Sequence, residues 1–407
     1  MRESRLPARL ISALVLVLVV CGLDAAWRPG APAPAQALLP QARAGAQAVD
    51  GSGLQRVDGG RVPMPEGARA AHASSLLVMP ADSPAALTLF WFSGERESGP
   101  QVQIVASQWL RASGAWSAPQ VVANRHRLGA SLGHGLRRLG NPVAWSDAQG
   151  RMHLFVVATG WGGWAASRIL HLRQSSASQE MGSLAFEPLG VLPLSWLWNT
   201  SFMVRNAPMP LADGGMVLPV HFELGSKIPA ALRFGPDGSF RGVTRLSRHD
   251  YWLQPALVAL SPTHWLAYFR DERDNGRVGW VQSLDAGRSW TDQPDLDLPN
   301  PDAAVAALAL GPGQLLLAHN PVRSGRGRLD LSRSADGRHW SLVQTLEAGA
   351  PDAEFSYPAL AWADGQLWLS YTVEREYLAW QRLAPPAAQP QEPGNPSAMV
   401  STSGATP

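Results

Sequence analysis

The sequence has a single cysteine, Cys21, which lies within an apolar run near the amino terminus. A chain without that segment would contain no thiol, no disulfide and no metal site built from cysteine. The ten histidines do not pair with carboxylates at the short intervals of a HExxH-like motif, and no glycine-rich loop that could cradle a phosphate is present. The sequence therefore predicts no metal ion and no cofactor.

Charged residues are also scarce. They make up 16% of the 407 residues, the formal net charge is only +2, and the arginines are scattered rather than clustered. We therefore expect no nucleic-acid partner. Hydrophobic residues are abundant, at 45%, and they are accompanied by 39 glycines and 34 prolines. This composition favours one large all-β body with many turns, whose core needs no covalent cross-links.

The amino terminus has the pattern of an export signal. Three arginines within residues 1–9 precede an apolar run at 10–23, which is too short for a typical membrane-spanning helix but suits the core of a signal peptide. Residues 35–37 (Ala-Gln-Ala) form a small-x-small cleavage site. We expect residues 1–37 to be a signal peptide, or alternatively an uncleaved signal anchor. The protein would then be periplasmic or secreted, or held at the inner membrane by this segment.

Two further segments lack the composition of a folded core. Residues 38–60 are expected to be a linker, and residues 384–407 consist mainly of Pro, Ala, Gln, Ser and Gly. Because such a tail cannot bury enough apolar surface to order itself, we expect it to be disordered. The folded domain is predicted to span residues 61–383.

A short repeat within that domain indicates its architecture. The octet at 283–290 (Ser-Leu-Asp-Ala-Gly-Arg-Ser-Trp) recurs in shortened form at 334–340 (Ser-Ala-Asp-Gly-Arg-His-Trp), with the two tryptophans fifty positions apart (340 − 290). Each copy places an Asp and a Gly between two apolar runs, which is typical of a hairpin turn, and ends in an aromatic residue that can pack under it. A repeat at a constant interval indicates a repeated structural unit.

Eroded copies of the same turn occur upstream, at 236–240, 183–186 and 113–117. Their aromatic residues, together with the two tryptophans, stand at positions 116, 186, 240, 290 and 340, so successive intervals are 70, 54, 50 and 50. Each interval can hold about one four-stranded blade, and residues 355–383 can hold a last one. The sequence therefore predicts an all-β, six-bladed β-propeller of four-stranded antiparallel blades.

The octet resembles the Asp box (Ser-x-Asp-x-Gly-x-x-Trp) of the sialidase-type propellers, whose repeats are also called BNR repeats. The second copy departs from the pattern by lacking one residue between Asp and Gly. The first predicted strand, which begins at His72, is similar to that of a bacterial and plant sialidase-like subgroup. In true sialidases this strand begins Arg-Ile-Pro and supplies the first of three carboxylate-binding arginines. This sequence has His72 at that place instead.

The resemblance implies a set of catalytic residues. Sialidases hold the sugar carboxylate on arginines and use a Tyr nucleophile activated by a Glu, with an Asp as general acid. A neutral nucleophile avoids repulsion by the negative charge of the substrate. The family order is Arg, Asp, Glu, Arg, Arg, Tyr. Glu223 matches the Glu, Arg270 the second Arg, Arg328 or Arg323 the third, and Tyr357 the nucleophile.

Two roles of the family pattern have no direct match. His72 or Arg96 could replace the first arginine, and Glu97 is the candidate for the general acid. Arginine suits carboxylate binding because its planar guanidinium donates two parallel hydrogen bonds. The remaining residues that we expect to bind substrate stand at strand ends or in turn segments of the propeller pattern: Asn141, Asn206, Gln254, Asn300, Asn320, Tyr371 and Arg375.

The function implied by the resemblance is that of an exported sialidase-like exo-glycosidase, monomeric, acting on an acidic sugar of a glycan. Two alternatives stay open. The propeller could bind a glycan or an envelope partner without turnover, or it could be a polysaccharide lyase in which Asn or Arg neutralises a uronate carboxylate while Tyr or His abstracts a proton. Residues 161–164 (Trp-Gly-Gly-Trp) could form a wall for sugar stacking or could pack between blades.

Overall fold

The computed structural model describes residues 8–27, 32–39, 51–176, 182, 184–195 and 197–386. The strands of these residues form six antiparallel sheets, and the first strands of neighbouring sheets contact each other around a closed ring. Each sheet is one blade, with its first strand at the centre. The predicted six-bladed propeller of four-stranded blades is thereby confirmed.

In the first three blades the strands follow one another from the centre outward. Blade 1 contains β2 (Ala70–Val78), β3 (Ala85–Gly94), β4 (Gln103–Leu110), β5 (Ala115–Trp116) and β6 (Gln120–Ala123). Blade 2 contains β7 (Arg138–Ser146), β8 (Met152–Thr159), β9 (Ser167–Gln174) and β10 (Phe186–Val191). Blade 3 contains β11 (Phe202–Val204), β12 (Met209–Pro210), β13 (Met216–Phe222), β14 (Ile228–Phe234) and β15 (Phe240–Arg245).

The other three blades follow the same design. Blade 4 contains β16 (Trp252–Ala259), β17 (Trp265–Asp271), β18 (Gly279–Ser283) and β19 (Thr291–Asp292). Blade 5 contains β20 (Ala306–Gly311), β21 (Gln314–His319), β22 (Arg328–Ser334) and β23 (Ser341–Ala348). Blade 6 contains β24 (Phe355–Ala363), β25 (Gln366–Val373), β26 (Tyr377–Ala384) and, outermost, β1 (Gln55–Arg61).

The outer strand of blade 6 corrects the predicted linker at 38–60. β1 pairs antiparallel with β26 from Gln55 opposite Ala384 to Arg61 opposite Ala379, so the two ends of the domain close the ring together. Leu54, just before this strand, is buried. The sequence of β1, Gln-Arg-Val-Asp-Gly-Gly-Arg, lacks the alternation of a half-buried strand, and this is why the pattern did not predict it.

The repeated turns join the third and fourth strands of their blades, as their sequence predicted. In the octet at 283–290, the Ser283 hydroxyl accepts a hydrogen bond from the backbone nitrogen of Gly287 (2.8 Å), and Asp285 Oδ1 accepts one from that of Ser289 (2.9 Å). The Trp290 indole donates to the Gly287 carbonyl (3.2 Å). The shortened copy at 334–340 repeats this arrangement despite its missing residue.

Both faces of the disc can be named from these strands. The face that carries the repeated turns and the turns between first and second strands is called the turn face. The opposite face, where first strands begin and where loops join second to third strands, is called the site face. Four first strands, β2, β7, β16 and β24, carry a β-bulge near the site face, and in three of these bulges a residue other than glycine has a left-handed backbone: Ala73 (φ +54°), Gln254 (φ +51°) and Tyr357 (φ +54°).

Two helices lie outside the blades, α1 (Ala8–Trp27) and α2 (Arg125–Leu132). α2 lies between blades 1 and 2, and Asn124 caps its first turn. No helix in the described part of the chain is both long and apolar enough to pass through a membrane.

The segment after α1 packs on the turn face. Ala37 is 4% exposed, its backbone nitrogen donates to the Pro262 carbonyl (2.8 Å), and it forms an isolated bridge with Leu211. The Ala212 nitrogen donates to the Gln36 carbonyl (2.9 Å). The predicted cleavage boundary after residue 37 therefore falls inside a segment that is docked against blades 3 and 4.

Candidate functional site

A cluster of polar side chains from three blades lies on the site face. Arg270 is at the centre of this cluster. The Arg270 guanidinium donates to both carboxylate oxygens of Asp302, with Nε–Oδ1 and Nη2–Oδ2 distances of 2.6 and 2.9 Å. Its remaining nitrogen, Nη1, reaches Gln254 Oε1 (3.3 Å) and the Tyr357 hydroxyl (3.4 Å). We refer to Arg270, Asp302, Gln254 and Tyr357 as the Tyr357 cluster.

The bulges of β16 and β24 are what aim two members of this cluster. Gln254 and Tyr357 occupy them, and the Gln254 side-chain nitrogen donates to the Tyr357 hydroxyl at 3.1 Å. A left-handed backbone at a residue with a side chain costs about 1–2 kcal/mol. Bulges turn a side chain out of the regular alternation of a strand. The local strain therefore places both side chains where six blades converge.

The ring of Tyr357 also contacts two further residues, His72 and Arg205. The His72 imidazole lies 4.1 Å from the Tyr357 ring, centroid to centroid. Burial and the nearby charge of Arg205 hold the pKa of His72 well below its usual value, so this imidazole is neutral. Its Nδ1 has no hydrogen-bond partner among the described residues.

Arg205 is the deepest charge of the site, with 2% of its surface exposed. It donates to the Ser74 carbonyl (3.2 Å) and the Pro358 carbonyl (2.8 Å), which lie in the bulges of blades 1 and 6. Its guanidinium carbon is 4.8 Å from the centre of the Tyr357 ring. Burial lowers the pKa of Arg205 to about 10, so the side chain stays charged at neutral pH.

Glu223 approaches the Tyr357 cluster from blade 3. It follows the last residue of β13, and its Oε2 is 3.1 Å from Nε2 of His221. Burial alone would raise the pKa of Glu223, but the hydrogen bond from His221 and the charge of Arg270 outweigh burial and lower it. Glu223 is therefore ionised at neutral pH.

A second group of charges, which we call the Glu354 network, lies beside the cluster. Glu354 accepts hydrogen bonds from Arg326 Nη1 (2.8 Å) and Arg375 Nε (2.8 Å), and Arg375 Nη1 also donates to Glu97 (2.7 Å). Arg326 in turn donates to the Asp302 carbonyl (2.7 Å), which joins the network to the Tyr357 cluster. Burial would raise the pKa of Glu354, but the bond from Arg375 and the charge of Arg326 lower it to about 2.

The structure thus brings together a large part of the residues predicted from sequence. Those that lie in the cluster, in the network or against them are Tyr357, Glu223, Glu97, His72, Gln254, Arg270 and Arg375. Their catalytic and binding roles stay predictions.

Four predicted asparagines are used differently. Each side-chain amide donates to a backbone carbonyl, in three cases one of the next blade: Asn141 to Val204, Asn206 to Gln254 and Pro255, Asn320 to Phe355, while Asn300 bonds within its own turn to Ala303. These amides hold the blades and their bulges in place. The structure thus gives these side chains a supporting position, and their predicted contact with substrate stays a prediction.

Three other predicted residues lie outside the cluster. Arg328 is the first residue of β22, and its guanidinium points outward to Asp330 (2.9 Å). Tyr371 is buried between blades, where its hydroxyl donates to Glu347. Arg96 is exposed in the loop between β3 and β4, where its backbone carbonyl forms a turn.

Four residues of the site were missed by sequence reasoning: Arg205, Asp302, Arg326 and Glu354. Arg326 belongs to the Glu354 network, whereas Arg328, the arginine predicted from sequence, does not. The reason is that Arg326 lies in the loop before β22 and Arg328 lies on the strand. Glu354 stands directly before the first strand of blade 6, and Asp302 stands four positions before that of blade 5, where such acidic residues are a usable signal. Arg205 carries no local signal, because its partners are more than 130 positions away in sequence.

The described residues include no group of three or more His, Cys, Asp or Glu side chains arranged to hold a metal ion. The groups that the site does offer are arginines, carboxylates and a hydroxyl. Opposed arginines can bind a carboxylate, and a hydroxyl that accepts two hydrogen bonds can carry developing negative charge.

The sequence model of the BNR repeat-like domain matches residues 85–383. No curated protein sequence matches the chain significantly.

Solved structures similar to this fold include two sialidases. A Hadza microbial sialidase has a TM-score of 0.60 and 15% identity, covering 77% of this chain and 65% of its own. Trypanosoma rangeli sialidase, in complex with the inhibitor DANA, has a TM-score of 0.63 and 14% identity, covering 81% of this chain and 60% of its own. The chain thus spans less than two thirds of the length of these sialidases.

A protein of unknown function from Dyadobacter fermentans is similar over nearly its whole length. Its TM-score is 0.61 and its identity 12%, with 82% of this chain and 99% of that chain covered. At these identities the structural comparisons establish the fold.

Proposed function

Because the chain belongs to the BNR repeat-like family of sialidase-like propellers, we propose that it is a glycoside hydrolase that acts on an acidic sugar, sialic acid or a related one, at the Tyr357 cluster. The observation that carries this proposal is the contact between Arg270 and Tyr357. Nη1 of Arg270 lies 3.4 Å from the Tyr357 hydroxyl, the group that would attack the sugar. An acidic sugar bound there would have its carboxylate beside Arg270.

The arginines supply the binding energy for the sugar carboxylate. Arg270, Arg326 and Arg375 are each paired with a carboxylate of the protein, so the substrate exchanges partners with Asp302 or Glu354 rather than meeting bare charges. A charge-assisted bidentate contact contributes about 1.5–3 kcal/mol. Arg270 is the principal candidate because its partner Asp302 is half exposed, so that a ligand can reach this ion pair from solvent.

Tyr357 is the candidate nucleophile. Its hydroxyl accepts hydrogen bonds from Gln254 and Arg270, and both donors stabilise the negative charge that develops on the oxygen as its proton leaves. The carboxylates beside Arg270, those of Glu223 and Asp302, are the candidate bases for this step. Glu97, held by Arg375, is the candidate acid for the leaving oxygen.

A second candidate function is glycan binding without turnover. It is favoured by the contacts of the Tyr357 hydroxyl: the two groups that donate hydrogen bonds to it, the Gln254 amide and the Arg270 guanidinium, cannot take up its proton. Among the described residues no carboxylate hydrogen-bonds to this hydroxyl. A binder would keep the arginine contacts and the shape of the site and would need no base.

The two functions are separated by turnover assays on sialosides and uronic-acid glycosides. The hydrolase predicts release of free sugar by the wild type and a loss of at least about 100-fold in Tyr357→Phe, since a nucleophile contributes several kcal/mol. Tyr371→Phe, which alters a buried tyrosine of blade 6 outside the cluster, is the matched control and should keep its activity.

Other outcomes of this assay identify other functions. Saturable binding by calorimetry with no release from any substrate would support the binder. An unsaturated product that absorbs in the ultraviolet would instead indicate a lyase, for which neutral His72 beside Tyr357 offers a base. Identical release by wild type and Tyr357→Phe would overturn the proposed hydrolase.

We also propose that the protein is exported. The proposal is supported by the charged and apolar pattern of residues 1–23, which suits a signal sequence. Fractionation of expressing cells, with the protein expected outside the cytoplasm, is the test. Recovery in the cytoplasm alone would contradict it.

A further inference from the structure

An exposed aromatic platform stands on the site face, on the loop between β8 and β9. The Trp161 side chain is 83% exposed. The Arg137 guanidinium carbon lies 4.0 Å from the centre of the Trp161 ring, a cation–π contact. The ring therefore has one face against a cation and large surfaces open to solvent.

The loop that carries this platform is fixed by its backbone and by its neighbour. Gly162 and Gly163 have φ values of +103° and +65°, which glycine adopts at no steric cost. A side chain at Gly140 would come within 2.8 Å of Trp164, so Trp164 packs directly on the backbone of β7 and anchors the end of the loop. Trp161 thus lies three positions before a residue that packs on the central strand of blade 2.

Two hydrogen bonds connect this loop to Glu223, which lies near the Tyr357 cluster. The Ala165 carbonyl accepts a hydrogen bond from the Ser201 hydroxyl (2.6 Å), and the Ser201 carbonyl accepts one from the backbone nitrogen of Glu223 (3.0 Å). Glu223 interacts electrostatically with Arg270. The exposed side chains of Trp198 and Leu224 lie near these residues in the chain.

The charge at the platform differs from the charges of the site. Arg270, Arg326 and Arg375 are all paired with carboxylates. Arg137 is exposed, and among the described residues no carboxylate forms an ion pair with it. An exposed guanidinium on an exposed indole offers a flat apolar surface and hydrogen-bond donors at one place, which suits a sugar ring that carries an acidic group.

From these observations we propose that Trp161 and Arg137 form a second subsite, which receives another acidic sugar residue of the same glycan. The ligand would then be an acidic oligosaccharide or polysaccharide, not a lone terminal acidic sugar. This inference rests on the proposed function, because the Tyr357 cluster must hold the first residue. It assigns the open alternative at 161–164 to sugar stacking by Trp161 and to packing by Trp164.

The test compares ligands of increasing length. Affinities are measured by calorimetry for sialic-acid oligomers and oligogalacturonates of one to four residues, with the wild type, Trp161→Ala, Arg137→Ala and Arg270→Gln. Leu284→Ala, which removes a 67% exposed side chain on the turn face, is the matched control. Thermal melting of each variant verifies that it is folded.

The subsite predicts that the wild type prefers the longer oligomers of one series by about tenfold or more, the range of one stacking or cation–π contact. Trp161→Ala and Arg137→Ala should remove this preference and leave monomer affinity unchanged, and Leu284→Ala should change neither. Equal affinity of the wild type for monomer and tetramer, or an unaltered preference in Trp161→Ala, would overturn the subsite alone. If the wild type bound none of the ligands, or if Arg270→Gln bound them as tightly as the wild type does, both the proposed function and the subsite would be overturned.

Discussion

The turn face and the site face of this propeller are held by contacts of very different sequence range. On the turn face, Asp285 bonds to Ser289 four positions on, and Asp336 to His339 three positions on. On the site face, Arg270 and Tyr357 are separated by 87 positions and Glu97 and Arg375 by 278. The hydrogen bonds that define the repeated turns are thus local, whereas the contacts of the site form only when distant blades have come together.

This difference separates stability from function. A change in one turn should lower the free energy of unfolding without moving the site, because the turns lie on the opposite face of the disc. A change in the site face should alter ligand contacts while the hairpins stay intact. Four sets of variants probe this contrast, in order of decreasing effect.

The first variant is Gly337→Ala on the turn face. Gly337 has φ +77°, and a Cβ there would lie 2.2 Å from Leu266 and 2.7 Å from the Tyr268 hydroxyl. Strain and overpacking together should lower the free energy of unfolding by about 3 kcal/mol, measured by denaturant titration.

Gly365→Ala is its matched control. Gly365 has nearly the same backbone, φ +76°, but nothing within 4 Å of the added atom, so about 1 kcal/mol is expected. Ligand affinity of both folded variants should equal that of the wild type. Equal losses of stability in the two variants would show that packing under the Asp-box turn contributes nothing.

The second variant is Arg270→Gln on the site face. Loss of the guanidinium should weaken binding of an acidic sugar by about 30-fold, the equivalent of about 2 kcal/mol for a charge-assisted contact. Arg328→Gln removes an arginine that points outward to Asp330, and it should bind like the wild type. If Arg328→Gln were the weaker binder, the assignment of the site to this cluster would be wrong.

The third experiment is a pH titration of stability in Glu354→Gln and the wild type. The pKa of Glu354 is lowered from 4.5 to about 2, so its ionised form stabilises the fold fully above about pH 4.5. That contribution, about 1–2 kcal/mol for a partly exposed ion pair, declines as the pH falls toward 2. The wild type should lose more stability than Glu354→Gln between these values. Parallel curves would contradict a paired Glu354.

The smallest effect is expected in the docked amino-terminal segment. Ala37→Gly removes a buried methyl group and should cost about 1 kcal/mol. Gln36→Gly, at an exposed neighbour, should cost less. The same purified protein should have an intact mass that includes residues 32–39. Two results together would show that residues 1–37 are removed: an intact mass that begins at Leu38, and equal stability of the two variants.

The contrast between the faces also explains what could be predicted from sequence. The interval of fifty residues and the turn residues predicted six blades because both are visible in short segments of the sequence. β1 was missed because its sequence lacks strand periodicity and its pairing with β26 spans the whole domain. Closure of the ring is a long-range event that no local pattern encodes.

For the site, the resemblance to the sialidase pattern, applied in chain order, predicted Tyr357 and Arg270, and the structure brings them together. Order could not separate Arg326 from Arg328, because the two differ only in whether the residue lies before β22 or on it. Nor could it distinguish a supporting asparagine from a binding one. Both occur at strand ends, and only the position of the neighbouring blade shows that the amide of Asn206 donates to carbonyls of the β16 bulge.

A crystal structure of the full chain with a saturating acidic monosaccharide, such as sialic acid, would show where on the disc an acidic sugar binds. We expect density for the sugar on the site face, with its carboxylate within hydrogen-bonding distance of Arg270 and its ring against Tyr357. A sugar bound elsewhere on the disc, with the pairing of Arg270 and Asp302 unaltered, would contradict the proposed site.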